Sequence, residues 1–457
     1  MKKFCLYIII FVSLSLKGQE RNIGGFINTD LVFYSDTTYI FNFNCRIASS
    51  ASLIVNPGVQ VKFASGASVI VDGDIYLNGT KEDPISLTST DLNFQGIGFV
   101  ISGNNGKEVV ATYTNFSNLL IPLTFKDNWF RERVFLYHNI FKEINTGQPA
   151  IYVGNPSQLP YIDKAIFDFR YNSFIENNST IFFSNIEDDN IIYSFKNNLI
   201  ASNIVLSKEV SNPLNAPFSF SFDQRNRKYL INFSENSILN NQIISSNNIN
   251  DSKLLSIGVK GSGESIELTE NFIGDNAQNK TLMHFYQNNN LPLILLTNNK
   301  KNPDKDINIH LYKLMIFKNN KWVIWDKSDN IYYDELKLKL MFNREISSSQ
   351  QNLDLIKFQN DSIRYERINV NIDERDQNNI FITVRNINLQ LDVLELLEVI
   401  DNENNTSPKY FIGNTHTFHL LKYGRYDEFK VLDEGVEERM VNDKLIISDS
   451  IREIRYK

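Results

Sequence analysis

Residues 52–89 read SLIVNPGVQVKFASGASVIVDGDIYLNGTKEDPISLTS, and their reading decides the fold. Apolar residues occupy alternate positions: Leu53 and Val55; Val59, Val61 and Phe63; Val69 and Val71; Ile75 and Leu77. Between these runs sit Asn56-Pro57-Gly58, Ser65-Gly66, Asp72-Gly73-Asp74 and Asn78-Gly79. Side chains alternate across a strand, so each run has one apolar side, and Gly, Asn, Asp and Pro supply the bends between runs. Strands this short cannot build a stable two-layer sheet alone. Stacked turn upon turn they line one continuous core, which is the logic of a solenoid.

Working outward, Tyr39, Phe41, Phe43, Cys45 and Ile47 alternate and are expected on the apolar side of one strand. Residues 22–34 are expected to form an entry strand or cap, because a solenoid's first edge is open to unwanted pairing. Downstream, an aromatic or apolar strand recurs followed by Asn and then Phe, Ile or Leu. The leading residues are Asn115, Asn139, Asn172, Asn197 (beside Asn198), Asn236 and Asn271, spaced 24, 33, 25, 39 and 35 apart. The chain contains 60 Asn, a residue that tolerates tight bends and has both donors and acceptors in its amide. Asparagines at one bend of successive turns are therefore expected to stack as a structural ladder. Longer excursions at 147–163, 208–228 and 246–265 are the expected binding loops.

The stretch from Leu53 through Pro57-Gly58, Phe63, Asp72-Gly73, Asn78-Gly79-Thr80 and Asp83-Pro84-Ile85 resembles the opening rungs of exported bacterial right-handed parallel β-helix proteins of the pectin-lyase-like fold. The resemblance implies an all-β solenoid. It implies no particular reaction, since lyases, hydrolases, adhesins and inert scaffolds share the architecture.

The rungs are expected to fill residues 19–296. Residues 297–306, TNNKKNPDKD, read as a polar linker. Beyond it, 307–317 and 322–325 flank Asn319-Asn320-Lys321 as a hairpin, and Leu336, Leu338, Leu340 and Phe342 alternate. Phe342-Asn343-Arg344-Glu345-Ile346 is similar to a strand end of bacterial Ig-like domains, which implies an Ig-like β-sandwich over 307–400. Residues 401–457 read as a C-terminal β extension.

Residues 1–18 carry Lys2 and Lys3, an apolar run over 4–12 and a polar end, the pattern of an export signal cleaved after Gly18. Losing Lys2, Lys3 and Lys17 takes the formal charge from −7 to −10, which disfavours nucleic acid and anionic membrane surfaces as partners. Of two cysteines, Cys5 lies in this leader, so Cys45 has no internal disulfide partner and is expected to be a buried small hydrophobe.

A search for chemistry assigns no catalytic, cofactor-binding or metal-binding residue. Asp188-Asp189 would point to opposite faces of a strand, as would His416 and His419. The Gly-His-Gly, Arg-Ile-Lys and Arg-x-Pro-x-x-Arg elements of β-helix sugar enzymes do not occur, nor do a nucleophile elbow or a phosphate loop. Asp163, Asp168 and Arg170 are the best acid-base candidates, set against a reading as exposed charges on a turn. Gly261-Ser262-Gly263 reads as a flexible bend. Trp129-Phe130 beside Arg131, Glu132 and Arg133 reads either as an exposed aromatic platform or as a cap on a rung, and Trp322 and Trp325 point to opposite strand faces. Asp36-Thr37-Thr38, Asp361-Ser362-Ile363 and Asp449-Ser450-Ile451 are similar to envelope O-glycan acceptor sites. The expected function is a non-enzymatic exported binding or scaffold protein, periplasmic in preference to surface-bound, whose partner is an envelope protein such as an outer-membrane transport or secretion channel. The alternatives are a polysaccharide lyase or glycoside hydrolase and a glycan-binding surface adhesin.

Overall fold

The computed structural model describes residues 19–93, 95–103, 107–126, 129, 131–144, 147–154, 165–186, 191–207, 216–222, 230–239, 241–245, 255–259, 266–273, 283–286, 294–296, 308–324, 332–347, 356–358, 368–373, 375–388, 394–396, 399–407, 410–412, 429–431, 439–441, 444–446 and 454–456. Among them there is no helix; every regular element is a strand.

Ten short strands, from Leu31–Phe33 and Leu53–Val55 to Ile266–Thr269 and Ile294–Leu296, form one parallel sheet, called here the first face. A second, 18-stranded parallel sheet separates into two columns. One, the second face, runs from Gln60–Phe63 and Ile85–Ser89 to Ser237–Leu239 and Phe272–Ile273. The other, the third face, runs from Ser68–Val71 and Gly98–Ile101 to Leu255–Val259 and Met283–Tyr286. The long strands Gln19–Ile27 and Thr37–Ile47 contribute to both columns. Within the early rungs each strand pairs in parallel with the strand three further on: Leu53–Val55 with Ile75–Asn78, Gln60–Phe63 with Ile85–Ser89, and Ser68–Val71 with Gly98–Ile101. The chain thus visits three faces in turn and returns one rung further along, a path compatible with a β-helix-like solenoid.

The quoted stretch supplies rungs whose alternating residues all point inward: Leu53, Val55, Val61, Phe63, Val69, Val71, Ile75 and Leu77 are buried. Aromatic rings then stack along the core axis. Phe116, Phe141 and Phe174 lie 4.5 and 5.1 Å apart, and Phe169, Phe195 and Phe233 lie 4.7 and 4.5 Å apart. These distances follow from the strand spacing of a parallel sheet, about 4.8 Å. Cys45 is buried in the same core, and burial pushes its thiol up to about 11. Phe43 departs from the expectation. It is 76% exposed, because the pairing of Thr37–Ile47 with Gln19–Ile27 jumps from Phe41↔Ile23 to Cys45↔Gly25. The corner between the second and third faces falls inside this one strand, and the irregularity there breaks the period of two.

The asparagine ladder forms, with two corrections of membership. Asn139, Asn172, Asn198, Asn236 and Asn271 stack at the two-residue bend between the first and second faces. Asn198 Oδ1 accepts from Asn172 N at 2.9 Å and from Asn172 Nδ2 at 3.1 Å, while Asn198 Nδ2 donates to Asn236 Oδ1 at 3.0 Å and to the Phe169 carbonyl at 2.9 Å. The member is Asn198 and not Asn197, which occupies the preceding left-handed position at φ 55°. Asn115 lies inside the strand Thr114–Ser117, and Thr114 takes the ladder position there: its N–H donates to Asn139 Oδ1 at 2.9 Å. A second ladder, not foreseen, joins Asn177, Asn203 and Asn241 at the bend between the second and third faces. Its members follow Asn172, Asn198 and Asn236 by five residues, the length of one short strand plus a bend.

A separate core is built from Ile316, Leu336, Leu338, Leu340, Phe342, Ile380, Ile382 and Val384 on a five-stranded antiparallel sheet. Its strands lie in the order Lys321–Ile324, Leu311–Lys318, Tyr332–Phe342, Asn379–Asn388 and Ile368–Ile372. The expected hairpin is present: Leu311–Lys318 pairs with Lys321–Ile324 around Asn319 and Asn320, both left-handed at φ 49° and 60°, as a two-residue hairpin turn requires. A smaller antiparallel sheet joins Ile356–Phe358, Leu394–Leu396 and Tyr410–Ile412, and two strand pairs occur between residues 429 and 456.

The antiparallel unit packs on the second face. Along that face the outward positions are polar in early rungs, at Ser86, Thr88, Asn115 and Ser117, whereas later ones, interspersed with Lys142, Ser173 and Ser237, include an apolar patch of Ile140, Ile175, Leu199, Ala201 and Phe272. Tyr312 covers this later patch, 6.0 Å from Phe272 between ring centroids. Asn308 Nδ2 donates to Ser173 Oγ at 3.0 Å, and Lys81 pairs with Glu403. His310 is fully buried in the antiparallel unit. Its Nδ1 lies 2.8 Å from the Asn308 carbonyl, which can only accept, so Nδ1 carries a proton, and burial keeps the ring neutral at pH 7.

Two outcomes are expected. Asn198→Ala strips partners from Asn172 N–H, the Phe169 carbonyl and Asn236 Oδ1, so it should cost about 3 kcal/mol in urea unfolding, whereas Asn115→Ala should stay within about 0.5 kcal/mol. Burial holds His310 down to about 4, so the unfolded chain binds a proton that the folded one refuses. Stability should therefore be full above about pH 6.5 and fall, by about 3 kcal/mol, as pH drops towards 4. Melting of the parent and of His310→Gln across this window checks it: the variant's pH slope should be flatter.

Candidate functional site

Alternation on the first face sends Tyr76, Val110, Phe135, Asp168 and Ser194 outward in one register column, with Tyr137, Arg170 and Lys196 in the next. Asp168 is 6% exposed despite facing outward. Both its oxygens are engaged: Tyr137 OH donates to Oδ2 at 2.9 Å, Arg170 Nε donates to Oδ1 at 2.8 Å, and the other arm of the Arg170 guanidinium lies 2.8 Å from Oδ2. The guanidinium sits 5.9 Å from the Tyr137 ring centre, and Phe135 stacks beside that ring at 5.7 Å. Partial burial, reinforced by the bond to Asp168, pushes the Tyr137 phenol up to about 12, and hydrogen bonding to Asp168 raises Arg170. At neutral pH the cluster is a neutral phenol, a carboxylate and a guanidinium in one orientation. Such a set presents a fixed pattern of ring edge, cation and donor, with both carboxylate oxygens engaged.

Neighbouring rungs repeat the motif in weaker form. Arg133 lies 3.7 Å from Glu108, which accepts from Tyr76 OH at 3.5 Å, and Lys196 lies 2.9 Å from Glu235. Of the three acid-base candidates, the structure joins Asp168 and Arg170; Asp163 lies outside the described residues. Tyr137, which completes the cluster, was missed. Its signal was present in the sequence: it precedes the bend at His138-Asn139 just as Arg170 precedes Tyr171-Asn172, so the two share a register position.

Trp129 and Arg131 belong to the interior, which corrects the platform reading in favour of the packing one. Trp129 is fully buried against Phe125 and Phe167, with Nε1 donating to the Gly154 carbonyl at 2.7 Å. The Arg131 guanidinium is also fully buried and donates to the carbonyls of Gly103, Val71, Gly73 and Ser102 at 2.8–3.2 Å. Burial lowers it to about 10, opposed by Asp74 and Asp72, and it remains a cation at neutral pH. Its five N–H groups suit it to tie together carbonyls of successive rungs.

A further column lies on the ridge between the first and second faces. Tyr113, His138 and Tyr171 all adopt left-handed backbone, at φ 42°, 57° and 56°, and their rings stack at 4.6 and 4.9 Å. Confinement between two phenol rings, and then the nearby Lys81, lowers His138. Each of these residues precedes a ladder position, so the bend sends its side chain out as the ladder side chain turns in.

Asp188-Asp189, His416, His419, Gly261-Ser262-Gly263, Phe130, Trp325 and the triplets beginning at Asp361 and Asp449 lie outside the described residues. Asp36-Thr37-Thr38 is described; Thr37 Oγ1 donates to Asp36 Oδ1 at 3.1 Å. Among the described residues no three His, Cys, Asp or Glu side chains converge as a metal site would need, and no helix is long and apolar enough to cross a membrane. No family model matches the chain, and neither does any curated protein or solved structure.

If Arg131 is a carbonyl tie, Arg131→Lys, which keeps the charge but loses the planar fork, should lower unfolding stability by about 2 kcal/mol. A parent-like urea midpoint for that variant would remove the role.

Proposed function

We propose that this is an exported, non-enzymatic binding or scaffold protein of a Gram-negative cell envelope. In this reading residues 19–296 are a right-handed parallel β-helix and residues 307–400 an Ig-like unit docked on its side. The protein serves as a periplasmic partner subunit of an outer-membrane transport or secretion channel. The observation that carries the proposal is the state of the outer first face. Its best acid-base candidate, Asp168, is committed at both oxygens to Tyr137 and Arg170, and the adjoining rungs hold further paired charges and half-buried rings. Preformed, mutually satisfied groups on a rigid sheet suit recognition, because little side-chain entropy remains to be lost on binding. Support for rigidity comes from the two ladders and from the apolar contact that holds the antiparallel unit against the second face. The leader-like pattern of residues 1–18 and the acidic charge support the compartment.

The test is purification of the tagged protein from detergent-solubilised envelopes after mild cross-linking. Co-purification of an outer-membrane channel protein in fixed ratio is expected, with about tenfold less recovered for a Tyr137→Ala, Arg170→Ala double variant of unchanged melting temperature. Recovery of the protein alone from envelopes, or release of sugar from a glycan panel by the purified protein, would overturn the proposal.

A further inference from the structure

The antiparallel sheet has a second side that its own core does not use. Along Tyr332–Phe342, Leu336, Leu338 and Leu340 turn inward, and Lys337 and Lys339 turn outward opposite Thr383 and Phe381 of Asn379–Asn388. On the same outer side Phe317 and Trp322 form a cross-strand pair across the hairpin, with ring centroids 5.3 Å apart, and Trp322 lies 5.6 Å from Phe381. The two ammonium groups stand over this cluster: Lys337 Nζ is 6.0 Å from the Phe317 ring and Lys339 Nζ is 5.5 Å from the Phe381 ring. Phe317 is 37% exposed, and Trp322 and Phe381 are half-buried.

We infer that this outer sheet face is a docking surface for an extended acidic segment of a partner protein. The inference deepens the proposed binding role and rests on it, in that it supplies the chemistry of a partner. Three observations choose the occupant. The chain as a whole carries a formal charge of −7, so an aromatic cluster under paired lysines is a local positive exception that complements an anionic partner. The surface already seats a carboxylate: Glu335 lies 2.7 Å from Lys337 Nζ and 3.8 Å from Arg385, and hydrogen bonding to Lys337 lowers its pKa. A carboxylate from outside would take the same kind of place at Lys339. Finally, Lys337 and Lys339 stand two residues apart on one strand, about 7 Å, which is also the spacing of same-side side chains in any extended peptide. Carboxylates at alternate positions of an extended segment therefore match the lysines in step, one meeting Lys339 and the other sharing the Lys337 ammonium with Glu335. The flanking rings receive the methylene stems and apolar neighbours of that segment, and the lysine–ring contacts hold the cations in place before binding.

The test uses the full-length exported protein and a fluorescein-labelled peptide of alternating Glu and Tyr, read by anisotropy at low and physiological salt. Saturable binding that weakens with salt is expected, with none for a peptide of alternating Lys and Tyr. The double variant Lys337→Glu, Lys339→Glu should lose about tenfold or more in affinity, and Trp322→Ala several-fold, whereas Lys62→Glu on the solenoid should bind like the parent. The surface double variant keeps the test meaningful if Trp322→Ala fails to fold. No saturable peptide binding, equal loss with Lys62→Glu, or binding only to a polyuronate oligosaccharide or to anionic phospholipid vesicles would overturn the inference. Peptide binding that persists when no channel protein is recovered from envelopes would sustain this surface while removing the channel as partner.

Discussion

The stacked parallel sheets depend on one repeated hydrogen-bond arrangement: an asparagine amide that accepts from the rung before it and donates to the rung after it and to a carbonyl below. Two-residue bends leave peptide groups inside the fold with no strand partner, and buried unpaired donors and acceptors are costly. The amide satisfies them without help from water. Each such bend also needs a residue in left-handed backbone, and here His138, Tyr171, Asn197, Glu235 and Glu270 adopt it at φ 54–59° without being glycine. That conformation costs about 1–2 kcal/mol per residue. It persists because the hydrogen bonds of the adjacent asparagine fix the bend from both sides.

From that constraint the rest follows in layers. Bends that repeat in register hold strands in register, and strands in register bring like side chains together along the axis. Hence the runs of stacked Phe inside, and hence the outward columns in which Tyr137 meets Asp168 and Arg170 from neighbouring rungs. The same regularity makes the surface readable as a function of rung number. On the later rungs of the second face Ile140, Ile175, Leu199 and Phe272 make an outward apolar patch, and there the antiparallel unit packs with Tyr312.

A scaffold of this kind separates stability from recognition. Stability resides in inward side chains, ladder amides and ties such as Arg131, all withdrawn from solvent. In the proposed binding role, recognition falls to groups whose removal costs the core little: ion pairs and rings on the first face, and the lysine-capped aromatic cluster on the antiparallel sheet. Electrostatic patterning on a rigid frame gives a partner orientation and specificity more than bulk affinity.

Sequence alone determined the all-β class, the inward set of the opening rungs, the hairpin at Asn319-Asn320 and the existence of a ladder, because period-two burial and amide chemistry act over a few residues. It missed what depends on where corners fall. Phe43 points outward because a corner lies inside its strand; Asn198 displaces Asn197 because the left-handed position comes first; Asn177, Asn203 and Asn241 share a second ladder through a five-residue offset visible only once the first is placed. The acid-base candidates show the same division. Asp168 and Arg170 were legible as neighbours two apart on a strand, but Tyr137, 31 residues earlier, joins them only because parallel pairing sets one rung beside the next. The cationic face of the antiparallel sheet was illegible for that reason as well, since Phe317, Trp322, Lys337, Lys339 and Phe381 come from four strands. Local periodicity says which side of a strand is buried; only the register between strands says which side chains meet, and that register is set by the closed path of the whole chain.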